Sequence, residues 1–297
     1  MKVLVLGPGL MGEPMARQLL QAGNEIFVLR NRNPEPIVRL VADGAQEVVS
    51  LQQTAQEVDI VLSMLPNLPQ IEQRLFEDKI ADSMQVGSLF LNMSTVSPAG
   101  IKKVATRLAE KGIHTIDAPV SGGTARAITG TLTIMASGDK LIYEQYYSLL
   151  QVVGEQIFYT GEIGNGQVIK LCNNLLASII MTANAEILAL GVKSGVEPTL
   201  IRDVLLASTG SNRLLQDWIP KTILQNNYEP GFMMKLMQKD IGLAMEQAQA
   251  TDVSLWLGQL TKDLFSQVAN EDNNSEKDYA VIAKLYEQAN QVLLSQK

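Results

Sequence analysis

The sequence predicts an α/β protein: a doubly wound, mostly parallel sheet with helices on both faces, followed by an all-helical C-terminal half. Two observations carry this. Short apolar runs alternate with amphipathic ones through the first half, at the spacing of strand–helix–strand units. From Gly164 onward the strand signals stop and only helical periodicity remains. The expected boundary gives a first domain over 1–162 and a second over 163–297.

The first strand is expected at 2–6. Its apolar run is too short for the core of a secretion signal and is broken at once by Gly7, Pro8 and Gly9, so it reads as a buried strand. Further strands are expected at 25–29, 60–64, 88–92, 113–117, 132–136 and 156–159. Helices fall between them at 11–22, 35–42, 50–57, 71–76, 97–111 and 141–152. The second half should hold helices at 168–194, 198–206, 210–219, 232–250, 254–269 and 279–294. The stretch 175–192 is apolar enough to suggest a membrane span, but Asn184 and Glu186 lie inside it, so it reads as a buried helix. At about 1.5 Å per residue the helix 168–194 is roughly 40 Å long. Its apolar positions run nearly all round, which calls for cover on every side. A homodimer or homotetramer would supply that cover.

Composition narrows the class. The chain has 297 residues, 46% of them hydrophobic, and a formal charge of -7, a balance that argues against nucleic acid as a partner. One cysteine, Cys172, excludes an internal disulfide framework and fits a reducing cytoplasm. The single histidine, His114, leaves too few ligands for a His/Cys metal cluster and reads as structural. The expectation is a cytoplasmic protein without a metal, a membrane or a nucleic acid.

The first chemical motif is Gly7-Pro8-Gly9-Leu10-Met11-Gly12, placed between the first strand and the first helix. That placement is what a Rossmann-type dinucleotide fingerprint requires. Gly7 makes the turn, Gly9 admits the pyrophosphate, and Gly12 lets the helix pack on the sheet. The helix N-terminus then offers N–H groups and a positive dipole end to the phosphates. An NAD site would place an acidic residue at the end of the second strand. Here Arg30-Asn31-Arg32 stands there, with no carboxylate before Glu35. An arginine fork can hold a 2′-phosphate that a carboxylate would repel, so NADP(H) is the expected cofactor. Arg32 is placed on the 2′-phosphate, Asn31 on the ribose and Arg30 as an auxiliary charge. A solvated basic turn is the competing reading.

Two further motifs follow. Ser121-Gly122-Gly123, after the apolar run 113–117, can bring several backbone N–H groups onto one small anion, although a plain strand turn has the same composition. Lys170 and Asn174 stand four apart on one predicted helix, so their side chains share a face. A lone helical lysine is usually a surface charge. One lodged among apolar neighbours such as Val168, Ile169, Leu171 and Cys172 can serve as a general acid or base, because desolvation lowers its pKa.

Taken together, Asp117-Ala-Pro-Val-Ser121-Gly122-Gly123, the glycine fingerprint and Gly164-x-Gly166-x-x-x-Lys170-x-x-x-Asn174 resemble the β-hydroxyacid dehydrogenase family. That family includes 3-hydroxyisobutyrate dehydrogenases and the glyoxylate, tartronate and succinate semialdehyde reductases, and the resemblance runs through nearly the whole chain. It implies that Ser121, Gly122 and Gly123 grip the substrate carboxylate, that Lys170 transfers the proton, and that Asn174 orients the same oxygen. It also implies that Met64, Leu65 and Pro66 flank the nicotinamide half, that Thr95 contacts the nicotinamide ribose, that Phe232 walls the pocket, and that Lys239 lies near the nicotinamide. The pair Asn31-Arg32 resembles the NADP-preferring members. Asn92 stands where members often carry aspartate. The implied activity is hydride transfer between NADP(H) and a small carboxylate-bearing aldehyde or hydroxyacid. A non-catalytic dinucleotide-binding interaction module of the same fold, or an imine reductase, is the alternative; the retained Lys170 and Asn174 speak against the first, and Lys170 against the second.

Overall fold

In the computed structural model, which describes residues 1–29, 33–271 and 273–295, the first half forms the expected sheet. Its strands are β1 (Lys2–Leu6), β2 (Glu25–Val28), β3 (Gln46–Glu47), β4 (Ile60–Ser63), β5 (Leu89–Asn92), β6 (His114–Asp117), β7 (Val120–Ser121), β8 (Leu132–Gly138) and β9 (Gly154–Tyr159). They lie in the order β3-β2-β1-β4-β5-β6-β8-β7, with β9 on β8. The ladder from β3 to β6 is parallel, β8 runs antiparallel to β6 and β7, and β9 is parallel to β8. This is the Rossmann-like, mostly parallel sheet that the sequence predicts. The order reverses at β1, since β2 pairs one of its edges and β4 the other. Ligands of open α/β sheets bind in the crevice at the carboxyl end of such a switch point.

The apolar runs explain why the sheet is buried on both faces. In β1, Val3 and Val5 belong to one core cluster with Met15 and Leu19, while Leu4 and Leu6 belong to another with Val61, Ile71, Phe90 and Val104. Alternate residues face opposite sides, so a strand apolar at every position needs cover on both. The helices α1 (Gly12–Gln21), α2 (Glu35–Ala42), α3 (Leu51–Glu57), α4 (Leu68–Glu72), α5 (Ile80–Ser83), α6 (Pro98–Ala109), α7 (Gly123–Ile128) and α8 (Lys140–Val153) provide it. Several begin on a side-chain cap: Ser50 accepts from Gln53 N, Asn67 from Gln70 N, Ser97 from Gly100 N, and Asp139 from Leu141 N and Ile142 N.

By internal contacts the chain divides into Met1–Lys170 and Leu171–Lys297. The division falls inside α9 (Asn165–Lys193), eight residues beyond the boundary read from composition. The second unit contains the rest of α9 and α10 (Pro198–Leu206), α11 (Arg213–Asp217), α12 (Met234–Ala250), α13 (Trp256–Ala269) and α14 (Ala283–Asn290). Its core gathers Met181, Ala185 and Leu188 of α9 with Met237, Ile241, Phe265, Val281 and Ile282. By length and composition α9 could cross a membrane; here its apolar residues form the centre of a helical core. Cover on every side is not complete, since Leu176, Ile187 and Leu190 are exposed.

Some elements differ from expectation. The strands β3 and β7 have two residues each, too short to leave an alternation, and α7 starts inside the glycine pair. The expected helix 279–294 is a 3-10 turn, Tyr279–Ile282, followed by α14, and 210–219 shortens to α11 behind its Asn212 cap.

Candidate active site

The glycine loop shows three different demands on three glycines. Gly7 has φ +91, and a Cβ there would stand 2.6 Å from the Met64 carbonyl oxygen. A Cβ on Gly12 would run into the Gly7 carbonyl, so α1 can approach the loop only because position 12 has no side chain. A Cβ on Gly9 would meet nothing within 4 Å. Pro8 is buried beneath the loop, Leu10 is exposed and Met11 precedes the first helical residue. Two positions are closed by protein backbone and the middle one faces open space at a helix N-terminus. That is a cradle shaped for a phosphate group.

Met64, Leu65 and Pro66 leave β4 beside this loop, and Leu65 Cδ2 lies 3.2 Å from the position of a Gly7 Cβ. Next along the sheet, the segment after β5 carries Thr95, which is half-buried. Its two flanking peptides are held by one side chain. Gln167, fully buried at the start of α9, accepts from Val96 N at 3.0 Å and donates to the Ser94 carbonyl at 2.9 Å. The same Gln167 Nε2 donates to Asp117 Oδ1 at 2.6 Å.

Asp117 closes β6 and has no exposed surface. Besides Gln167, it accepts from Asn92 Nδ2 at 2.9 Å and from Ser137 Oγ at 3.3 Å. Burial pushes its carboxyl up to about 6, and the bonds from Gln167, Asn92, Ser137 and the Gly164 backbone pull the other way. Where an aspartate at position 92 would face Asp117 with a second carboxylate, Asn92 presents a donor.

Four residues beyond Asp117, Ser121 lies on β7, paired with Thr133 of β8, and Gly122 caps α7 with φ 137. A Cβ on Gly122 would come within 2.8 Å of the Arg126 side chain, and Gly123 also has a positive φ, +69. The loop is a strand end turned directly into a short helix, which needs both glycines and leaves Ser121 half-buried.

Lys170 is the last residue of the first unit and is 7% exposed. Its helix begins against the sheet: Gly164 lies under Pro98, where a Cβ would stand 3.1 Å from the carbonyl oxygen, and a Cβ on Gly166 would strike the Met135 carbonyl. The surface lysine that residue type alone suggests is therefore not what α9 carries. Asn174, one helical turn on, belongs to the second unit and is also buried.

Within the second unit, Asn174 Nδ2 donates to Asp240 Oδ2 at 2.5 Å, and Lys239 Nζ lies 3.0 Å from Asp240 Oδ1. Asp240 is thus the tie between α9 and α12 and sets both Asn174 and Lys239. Phe232 is half-buried against Tyr279, ring centroids 6.2 Å apart. Its backbone N–H and that of Gly231 donate to Asp278 Oδ2 at 3.0 Å each, while Trp218 Nε1 donates to Oδ1. Arg30, Asn31 and Arg32 lie outside the described residues.

Comparison with known proteins decides the class. Residues 2–161 match the model of the NAD binding domain of 6-phosphogluconate dehydrogenase, and residues 164–286 match that of the NAD-binding domain of NADP-dependent 3-hydroxyisobutyrate dehydrogenase. A 3-hydroxyisobutyrate dehydrogenase of Pseudomonas aeruginosa is 39% identical, over 96% of this chain and 98% of its own. The chain belongs to the β-hydroxyacid dehydrogenase family. An NAD-dependent L-serine dehydrogenase of the same organism is 37% identical, over 96% of this chain and 98% of its own. The crystal structure of a 3-hydroxyisobutyrate dehydrogenase from Salmonella typhimurium superposes with a TM-score of 0.86 at 28% identity, covering 96% of this chain and 99% of that one. Family membership brings pyridine-nucleotide binding with it, and the glycine cradle is built for that ligand.

Reading the residues in sequence missed Gln167 and the organising role of Asp117. Gln167 had a visible signal: it is a polar residue directly before the apolar pair Val168-Ile169, three positions before Lys170.

Proposed function

We propose that this member of the family is a cytoplasmic oxidoreductase that uses NADP(H) and a small carboxylate-bearing aldehyde or β- or γ-hydroxyacid, with Lys170 as general acid and base. The observation that carries the reading is the burial of Lys170 on a helix seated against the substrate-loop sheet, because a lysine without a task is rarely buried. Its support for NADP(H) is Arg30-Asn31-Arg32 and the lack of a carboxylate before Glu35. The serine dehydrogenase relative carries NAD in its name, so the NADP(H) reading rests on this chain's own Arg30-Asn31-Arg32.

When bound, the dinucleotide supplies or accepts the hydride at the substrate carbon. The chain's residues do the rest. Ser121 and the backbone of Gly122 and Gly123 hold the carboxylate and thereby place the reacting carbon. In reduction, Lys170 Nζ gives its proton to the oxygen that becomes the hydroxyl; in oxidation it takes that proton back. Asn174 orients the same oxygen, and Phe232 and Lys239 keep the roles that the resemblance implies. The acids named in the relatives, 3-hydroxyisobutyrate and L-serine, share a carboxylate and a hydroxyl on the β-carbon, and this shared unit supports the β-hydroxyacid part of that class. Exposed apolar side chains on the second unit, including Leu176, Leu190, Trp256 and Leu260, support a homodimer or homotetramer.

The test is a panel of 3-hydroxyisobutyrate, serine, glyoxylate, succinic semialdehyde and propanal, assayed in both directions with NADP(H) and NAD(H). Turnover of carboxylate-bearing members with NADP(H) preferred is the expected result. Propanal reduced as efficiently as glyoxylate or the semialdehyde would remove the carboxylate grip, and preference for NAD(H) would remove the cofactor assignment.

A further inference from the structure

We propose that Gln167 is a positioning residue, a clamp that fixes the Thr95 loop to the turn of α9 that carries Lys170, with Asp117 as its buried anchor. The geometry is specific. Gln167 touches the peptide on each side of Thr95, accepting from Val96 N and donating to the Ser94 carbonyl. Its amide orientation is not interchangeable, because Nε2 faces two acceptors, the Ser94 carbonyl and Asp117 Oδ1, while Oε1 faces an N–H. Asp117 is itself held from three elements: Asn92 on β5, its register partner, Ser137 on β8, and Gln167 on α9. The clamp is therefore rooted in the middle of the sheet.

Holding α9 on the sheet does not require this network. Gly166 against the Met135 carbonyl and Gly164 against Pro98 already press the first turn of the helix down. What the glutamine adds is a fixed distance between two backbone segments, the Thr95 loop and the turn leading to Lys170 three residues on. Fully buried side-chain amides with every group bonded hold such distances well, since any slip leaves an unpaired polar group in a dry interior. The proposal rests on the preceding reading, in which Thr95 meets the nicotinamide ribose and Lys170 the substrate oxygen.

The experiment uses Gln167→Leu, which removes all three bonds, and Gln167→Glu, which keeps the shape and the acceptor for Val96 N. Both are made alone and with Thr95→Ala. Affinity is measured for NADPH and NADH and for their nicotinamide-free fragments, 2′-phospho-ADP-ribose and ADP-ribose, with thermal melts as a check on folding. Single-turnover hydride transfer is followed with the best substrate of the panel. Gln167→Leu should weaken the intact dinucleotide by about tenfold and slow hydride transfer by roughly 10- to 100-fold, with the fragments bound as before. Gln167→Glu, which sets a carboxylate oxygen against Asp117 and the Ser94 carbonyl, should lose at least as much, and adding Thr95→Ala should cost little more than either change alone. Equal loss for dinucleotide and fragment, or losses that simply add, would overturn the clamp. Should the parent transfer no hydride to any substrate, the proposed activity fails, and the dinucleotide-against-fragment comparison still decides the clamp by itself.

Discussion

Gly12 stands directly against the carbonyl of Gly7, so that any side chain at position 12 would occupy the space of that carbonyl, whereas Gly9 between them faces nothing. The fingerprint thus contains two glycines required by the fold and one on which the protein's own packing makes no demand. Gly12→Ala should destabilise the first unit by about 1–3 kcal/mol, the usual cost of forcing volume into a closed contact. Gly9→Ala should melt with the parent, because its Cβ meets no protein atom and its backbone φ is ordinary, yet lose most dinucleotide affinity through the lost close approach. Thermal melts and dinucleotide titrations of the two variants check this contrast. Equal melting temperatures for both, or unchanged affinity in Gly9→Ala, would contradict it.

The same division explains what the sequence made legible. Strands such as β1 and β4 are read easily because burial on both faces demands an unbroken apolar run. The glycine fingerprint and the Lys170 frame are read from spacing, since each motif lies within one loop or one helix. By contrast α7 begins at Gly123, a residue that reads as a breaker, and β7 is a two-residue return whose partner β8 lies beyond it. The clamp is the clearest omission. Gln167 meets Ser94 from 73 residues away and Asp117 from 50, and no periodicity reports a contact of that range.

Asp117 should make stability depend on pH. Its carboxyl is raised by burial from 3.8 to about 6 in the folded chain. Between these values the folded state keeps a proton that the unfolded state has released, so its contribution is complete below pH 4 and is lost as pH rises through about 6. At about 1.4 kcal/mol for each unit, the swing is roughly 3 kcal/mol. Asp117→Asn keeps an acceptor for Asn92 and Gln167 and cannot titrate. Urea unfolding followed by circular dichroism from pH 4 to 8 should show the variant gaining on the parent across that window. Parallel curves would mean that Asp117 does not change its proton there.

Arg32 should carry the cofactor preference. A charge-assisted bond to a 2′-phosphate is worth about 1.5–3 kcal/mol, which converts to a roughly 10- to 150-fold loss of NADPH affinity in Arg32→Ala. NADH binding should change little, because that dinucleotide has no 2′-phosphate to lose. Fluorescence titration with both cofactors reads the ratio directly, and an equal loss for the two would transfer the preference to another residue.

Lys170 should be the residue on which the proposed chemistry turns. It is almost wholly buried, at the end of the unit that also holds the glycine cradle and the Ser121–Gly123 loop. Removing its amine should lower kcat by about 10²–10⁴, the range for a positioned general acid or base. Dinucleotide affinity should survive, because Gly7, Gly9 and Gly12 do not depend on this side chain. Lys170→Arg should restore little, since a guanidinium keeps its proton at any working pH and cannot act as a base. Single-turnover reduction, with bound NADPH verified by its fluorescence, separates chemistry from binding. A Lys170→Ala protein that transfers hydride within a few-fold of the parent would pass the role to Lys239, whose ammonium already lies against Asp240.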